Sequence, residues 1–147
     1  MKFPIALIAL LTLTAAFLAI AVGGAAGVTY VDHDKVAAAI SKGGSLVTAP
    51  DLTVTGSHRD KPGQVEVHDQ ETDVIYMIEG DAIFVTGGRA VGLSRTKPGQ
   101  SVGSEIKDGE AHHLTKGDVI VVPAGIPHWF KEVRPSVSYY VVKVIKP

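Results

Sequence analysis

A carboxylate and an imidazole two residues apart give this sequence its first sign of chemistry. In Gln64-Val65-Glu66-Val67-His68 the side-chain period of an extended chain places Glu66 and His68 on one face and Val65 and Val67 on the other. The polar face ends at the loop Asp69-Gln70-Glu71-Thr72, and Asp73 then opens an apolar run through Ile75 and Met77 to Gly80. Antiparallel pairing of the two runs would return Asp73 to the neighbourhood of His68. Some 45 residues later, Gly117-Asp118 leads through Val119-Ile120-Val121-Val122 into Pro123-Ala124-Gly125-Ile126-Pro127-His128, so an apolar run again ends on an imidazole. The chain has no Gly-x-Ser-x-Gly elbow, no phosphate-binding Walker loop and no Gly-x-Gly-x-x-Gly fingerprint, and without cysteine it has no thiol nucleophile. Metal-assisted reactions are what remain.

These two stretches resemble the motifs of the cupin family, Gly-x5-His-x-His-x3,4-Glu-x6-Gly and Gly-x5-Pro-x-Gly-x2-His-x3-Asn. The second fits from Gly117 through Pro123, Gly125 and His128, with Glu132 where Asn is usual. In the first, counting back from Gly80 puts Asp73 at the Glu position, His68 at the second His and Glu66 at the first; the initial Gly is displaced, with Gly63 three residues before Glu66. The resemblance covers roughly residues 46–144. It implies an all-β fold, the double-stranded β-helix or jelly-roll barrel, holding one divalent metal on what would here be Glu66, His68, Asp73 and His128. Imidazole and carboxylate suit Fe(II), Mn(II), Zn(II) or Ni(II) alike. A reduced set of His68, Asp73 and His128 would leave coordination positions open and Glu66 free as a catalytic base.

Each residue also has a plainer reading. Glu66 and His68 could form the solvent-facing stripe of an ordinary strand, and Asp73 could simply begin one. His112-His113 look like a pair, but strand neighbours face opposite ways, so ordinary strand surface is the expectation there. His58 and Arg59, just before Lys61-Pro62-Gly63, could approach a barrel mouth, although a surface role is simpler. His33 belongs to a helix start. Phe130 should share the inward face of His128, and Trp129 should face outward as a packing or interface residue. Tyr76, Tyr139 and Tyr140 are expected in the core or its contacts, and Met77 shares the face of Asp73.

The elements that must position these groups are short. One helix is expected over 35–42, with Asp32, His33 or Asp34 as N-cap and Gly43-Gly44 as its stop. Strands are expected at 45–48, 52–57, 65–68, 74–78, 82–86, 104–107, 110–115, 119–122 and 137–145, with a looser stretch near 90–93. Strands at this spacing argue for a sandwich or barrel. Gly87-Gly88 and Asp108-Gly109 read as hairpin turns. The unbroken apolar runs at 120–122 and 139–142 predict strands covered on both faces.

The first 26 of the 147 residues stand apart: Lys2, an apolar stretch over 5–22, then Gly23-Gly24-Ala25-Ala26. This pattern predicts an export signal, or an uncleaved membrane anchor, since about 18 apolar residues also suffice to span a bilayer. Residues 27–147 then form a single domain outside the cytoplasm, periplasmic or secreted. They carry 13 basic and 15 acidic residues without a basic run, so nucleic acid is not an expected partner. The expected partner is a small molecule; a membrane enters only if the leader is retained, and a homodimer follows only from analogy with small cupins. Two functions are open. One is a metalloenzyme of oxygenase, isomerase or epimerase, or lyase type; the other is a non-catalytic module that binds a small ligand or a metal.

Overall fold

The computed structural model describes residues 27–146. The expected leader, with its signal or anchor, lies outside the described residues. Among these, no helix is long and apolar enough to cross a membrane.

Helix α1 (His33–Lys42) starts where Asp32 accepts a hydrogen bond from the Lys35 amide and ends at Gly43, whose φ of 76° carries the chain out of the helix. Its buried residue, Ala39, lies on Gly56; a Cβ there would come within 2.7 Å of the Ala39 backbone. Eleven strands follow: β1 (Gly44–Thr48), β2 (Leu52–Arg59), β3 (Val65–His68), β4 (Glu71–Thr86), β5 (Arg89–Val91), β6 (Ser94–Lys97), β7 (Gln100–Gly103), β8 (Glu105–Lys107), β9 (Glu110–Thr115), β10 (Val119–Val122) and β11 (His128–Ile145). All pairings are antiparallel.

Two long strands organise the rest. The first half of β4 pairs with the end of β11, flanked by β10 on one side and by β2 and β1 on the other. The second half of β4 pairs with the start of β11, flanked by β9 and by the series β3, β7, β6. Both strands therefore pass from one sheet into the other, and the sheets close into a double-stranded β-helix. Ile75, Met77, Ala82, Phe84, Leu114, Val122, Phe130, Val137 and Tyr139 fill its interior. A second, smaller cluster of Val65, Val85 and Ile106 lies on the other side of β3.

The crossing point explains why each of these strands is longer than its sequence pattern predicts. Glu79-Gly80-Asp81 looks like a turn, yet β4 continues through it with Gly80 at φ 90°. Opposite, the register slips between Arg134 and Val137, where Pro135 has no amide to donate to the ladder. A Cβ on Gly80 would sit 2.0 Å from the Ser136 carbonyl oxygen.

Two hairpin expectations fail for a related reason. Gly87-Gly88 joins β4 to β5 and Asp108-Gly109 joins β8 to β9, but β4 pairs with β9 and β5 with β8. The positive-φ residues Gly88 and Asp108 face each other as a kink in one continuous ribbon, with a Cβ on Gly88 only 2.6 Å from the Gly109 amide. The expectation for β10 also fails on one face: Ile120 and Val122 turn inward, whereas Val119 and Val121 are exposed, since no described residue packs over the outer face of β10.

Gly80 and Gly117 share a left-handed backbone, but a Cβ on Gly117 meets nothing within 4 Å. Gly117→Ala should therefore cost only the backbone term, roughly 1 kcal/mol. Gly80→Ala should add a backbone clash and cost more than about 3 kcal/mol. Urea unfolding midpoints of the two variants read the difference.

Candidate metal centre

Strand β3 is covered on both sides, and its alternation divides the labour. Val65 packs into the smaller cluster, while Glu66 and His68 face the barrel interior. Register then sets their neighbours: Glu66 lies opposite His128, and His68 lies opposite Gln100 of β7. Asp73 sits on β4 between Val122 of β10 and Lys143 of β11. The loop 123–127 joins the two sequence motifs directly. Gly125, at φ 82°, donates its amide to the His68 carbonyl at 2.7 Å, and the Ile126 carbonyl accepts from His128 Nδ1 at 3.1 Å.

Both imidazoles are thereby oriented. His68 Nδ1 is hydrogen-bonded to Gln100 Oε1 and His128 Nδ1 to the Ile126 carbonyl, so in each ring Nδ1 carries the proton and Nε2 looks inward. His68 Nε2 lies 3.4 Å from Glu66 Oε2 and 3.5 Å from Asp73 Oδ2; His128 Nε2 lies 3.6 Å from the same Asp73 oxygen. Glu66, His68 and His128 each bring a donor atom within 4.8 Å of the others. His68 and Asp73 are buried, His128 likewise, and Glu66 is partly open to the cavity.

The electrostatics follow from burial against charge. Burial pushes the His68 imidazole down, but the Asp73 and Glu66 carboxylates outweigh it and hold the group up at about 9. His68 in turn holds the Glu66 carboxyl below its ordinary range. Burial pushes Asp73 up, and His68 and Lys143 more than reverse it. Burial dominates at His128, which is lowered and stays neutral. Lys143 Nζ donates to both oxygens of Asp73, at 2.8 and 2.9 Å, and lies 3.1 Å from Glu71 Oε2.

The donor set fits a divalent ion. His68 Nε2 is a buried nitrogen with no hydrogen-bond partner, and its separations from the carboxylates exceed good N–H···O distances. Two ligands about 2.1 Å from one tetrahedral ion are about 3.4 Å apart, which matches the spacings found. The Nδ1 hydrogen bonds to Gln100 and Ile126 are the outer contacts that fix the rings of metal-binding histidines.

Of the residues singled out in the sequence, Glu66, His68, Asp73 and His128 come together in the barrel, although Asp73 arrives by the β4–β11 ladder and not by pairing with β3. His112 and His113 lie elsewhere and apart, with His112 on Thr86 and His113 on Asp81. His58 is exposed and hydrogen-bonded to Ser138. Arg59 departs from the surface expectation: β2 alternation turns it, with Thr55 and Ser57, into the cavity. Trp129, expected to face outward, is half-buried and donates Nε1 to the Gly63 carbonyl at 2.7 Å.

Lys143 and Gln100 were not found from the sequence. Lys143 did leave a signal, being the one charge on the Tyr139-Val141-Lys143 face of an otherwise apolar run; a partly buried ammonium calls for a carboxylate. Gln100 left none. The cavity beside these groups has a volume of about 220 Å3 and is bordered by Arg59, Glu66, Ile75, His128, Phe130 and Lys143, among others.

A β-helical barrel with imidazoles and carboxylates gathered inside it defines a class of proteins. Residues 61–147 match the cupin family, and the chain belongs to it. Among solved structures, the protein BH2720 of Bacillus halodurans is 15% identical, covers 80% of this chain and 82% of its own, and superposes with a TM-score of 0.57. An RmlC-like cupin family protein with a double-stranded β-helix fold, from Methanocaldococcus jannaschii, is 13% identical over 69% of this chain and 76% of its own, with a TM-score of 0.48. Peruvianin-I, a cysteine peptidase of Thevetia peruviana latex, is 15% identical over 65% of this chain at a TM-score of 0.44, and this chain spans about half (51%) of it. No curated protein matches the chain in sequence.

Removing the Lys143 ammonium strands a buried carboxylate. Lys143→Met should cost about 3 kcal/mol of stability, and the double variant Asp73→Asn with Lys143→Met should recover most of it. A double-mutant cycle from denaturant unfolding measures the coupling; simple additivity would contradict it.

Proposed function

We propose that the chain is an exported cupin that holds one divalent metal, Fe, Mn, Zn or Ni, inside the barrel and uses it on a small molecule. One observation carries the reading: two imidazoles with their Nδ1 protons committed direct Nε2 toward the same Asp73 oxygen, with Glu66 alongside. Glu66, His68 and His128 are the ligands the geometry favours, and Asp73, already held by Lys143, is the fourth. When bound, such a metal supplies Lewis-acid polarisation of a substrate oxygen or a place for dioxygen. Glu66 borders the cavity and is the most exposed of the four, so it can take or return a proton if it does not ligate. Reactions of oxygenase, isomerase or epimerase, and lyase type all suit this arrangement.

The non-catalytic alternative draws on the same site. If all four side chains ligate and Lys143 stays on Asp73, little room is left for substrate at the ion, and the barrel is a metal- or ligand-binding module.

The full chain purified without chelator should contain about one transition metal per molecule by elemental analysis. His68→Ala and His128→Ala should lose it, while His112→Ala and His113→Ala should keep it. Wild-type protein that remains metal-free after reconstitution with each of the four ions would end the proposal.

Export is proposed from the leader alone: Lys2, the apolar stretch at 5–22 and the small residues before Gly27 suit a periplasmic or secreted protein. The intact mass of protein from the periplasm or medium should lack about 26 residues; full-length mass in the membrane fraction would indicate an anchor.

A further inference from the structure

The cavity contains a cation that neither the fold nor the proposed metal site uses. Arg59 closes β2 opposite Val137, and its side chain enters the cavity on the same face as Ser57 and Thr55. Its guanidinium carbon lies 5.2 Å from the centre of the Phe130 ring, stacked over it. Beside it is Gly63, where an added Cβ would come within 2.6 Å of Arg59 Nη1. Gly63 is itself clamped: its amide donates to the Phe130 carbonyl at 2.9 Å and its carbonyl accepts from Trp129 Nε1. The guanidinium thus lies over an aromatic face and beside a fixed backbone.

Held there, it lacks an anion. Among the described residues Arg95 pairs with Asp69 and Arg134 with Glu132, while no carboxylate pairs with Arg59, and its buried Nε has no hydrogen-bond partner. The other cation of the cavity, Lys143, is committed to Asp73 and Glu71. An unpaired guanidinium partly out of water presents a planar fork of donors, and a carboxylate is the group that matches it with two parallel hydrogen bonds.

We infer that the cavity takes a small organic acid, with its carboxylate on Arg59 and the rest of the molecule extending between Phe130, Ile75 and Val141 toward Glu66 and His128. The inference rests on the proposed metal-site reading for what happens at the far end, and on Arg59 alone for the choice of a carboxylate. A volume of about 220 Å3 lies below the roughly 300–1,000 Å3 of sites for drug-sized ligands, so the acid is a compact one.

The test compares acids with their neutral isosteres. Titration calorimetry of the full chain is run with lactate, benzoate and salicylate and with lactamide, benzamide and salicylamide, on samples whose metal content is measured. At least one acid should bind tenfold or more tightly than its amide. Arg59→Met should bring that ratio close to one without changing metal content. Gly63→Ala, which keeps the charge but pushes Nη1 aside, should reduce the ratio and guards against a folding defect in the first variant. If no acid is preferred, or if the preference survives both substitutions in folded protein, the inference is wrong. Metal-free wild-type protein that still prefers the acid through Arg59 would sink the metal reading and keep this one; one metal per chain without a preference would do the reverse.

Discussion

Placing His68, His128, Asp73 and the Lys143 ammonium inside a small barrel is the constraint on which the rest of the structure depends. None of these groups is stable in an apolar interior alone. Each is held there by a partner delivered by a different strand: Gln100 from β7, the Ile126 carbonyl from the loop before β11, Lys143 from β11 itself. A slip of one residue in any ladder would turn its side chain to the opposite face and leave a charge unpaired. The register of β3, β4, β7 and β11 and the polar interior are therefore one requirement. The apolar core below, built on Phe84, Met77 and Phe130, supplies the burial that makes the polar contacts strong.

Much of this was legible because local patterns agreed with global ones. The helix cap at Asp32, the stop at Gly43, and the strands 65–68, 110–115 and 119–122 appear where propensity and turn chemistry place them. The motif around Pro123, Gly125 and His128 was readable through its resemblance to the cupin pattern, and Gly125 shows a physical reason for it: its φ is positive and its amide reaches the His68 carbonyl. What escaped is long-range. Gly80 and Pro135 are breaker signals on their own, yet opposite one another they bend two strands together and end neither. Gly88 and Asp108 mislead in the same way. Lys143 and Gln100 gain their roles only from register, which side-chain alternation does not fix between strands distant in sequence.

The departures from the family pattern have a common physical sense. Asp73 stands where the longer Glu is usual, and Lys143 spans the space on its other side, directly across the β4–β11 ladder. Glu66 stands where a His is usual and adds a negative charge that the neutral ring would not have. The interior is thus richer in carboxylates than the family pattern implies, and two cations, Lys143 and Arg59, accompany that change. The carboxylates would suit the divalent ion proposed above, and Arg59 the anionic guest.

The facing kinks at Gly88 and Asp108-Gly109 also bear on how such a barrel can change length. Because the two irregularities occupy the same level of one ribbon, a residue inserted on either side alone would reverse the inside–outside order of everything beyond it, as far as Val85 and Ile106. The Pro98-Gly99 reversal joins β6 and β7, which pair with each other, so a residue added at its tip shifts no other ladder, provided the Gly99 carbonyl keeps its hydrogen bond from the Asp69 amide. Tolerance of insertions in this half of the molecule is therefore concentrated at one tip, and the walls of the barrel are the part least free to drift.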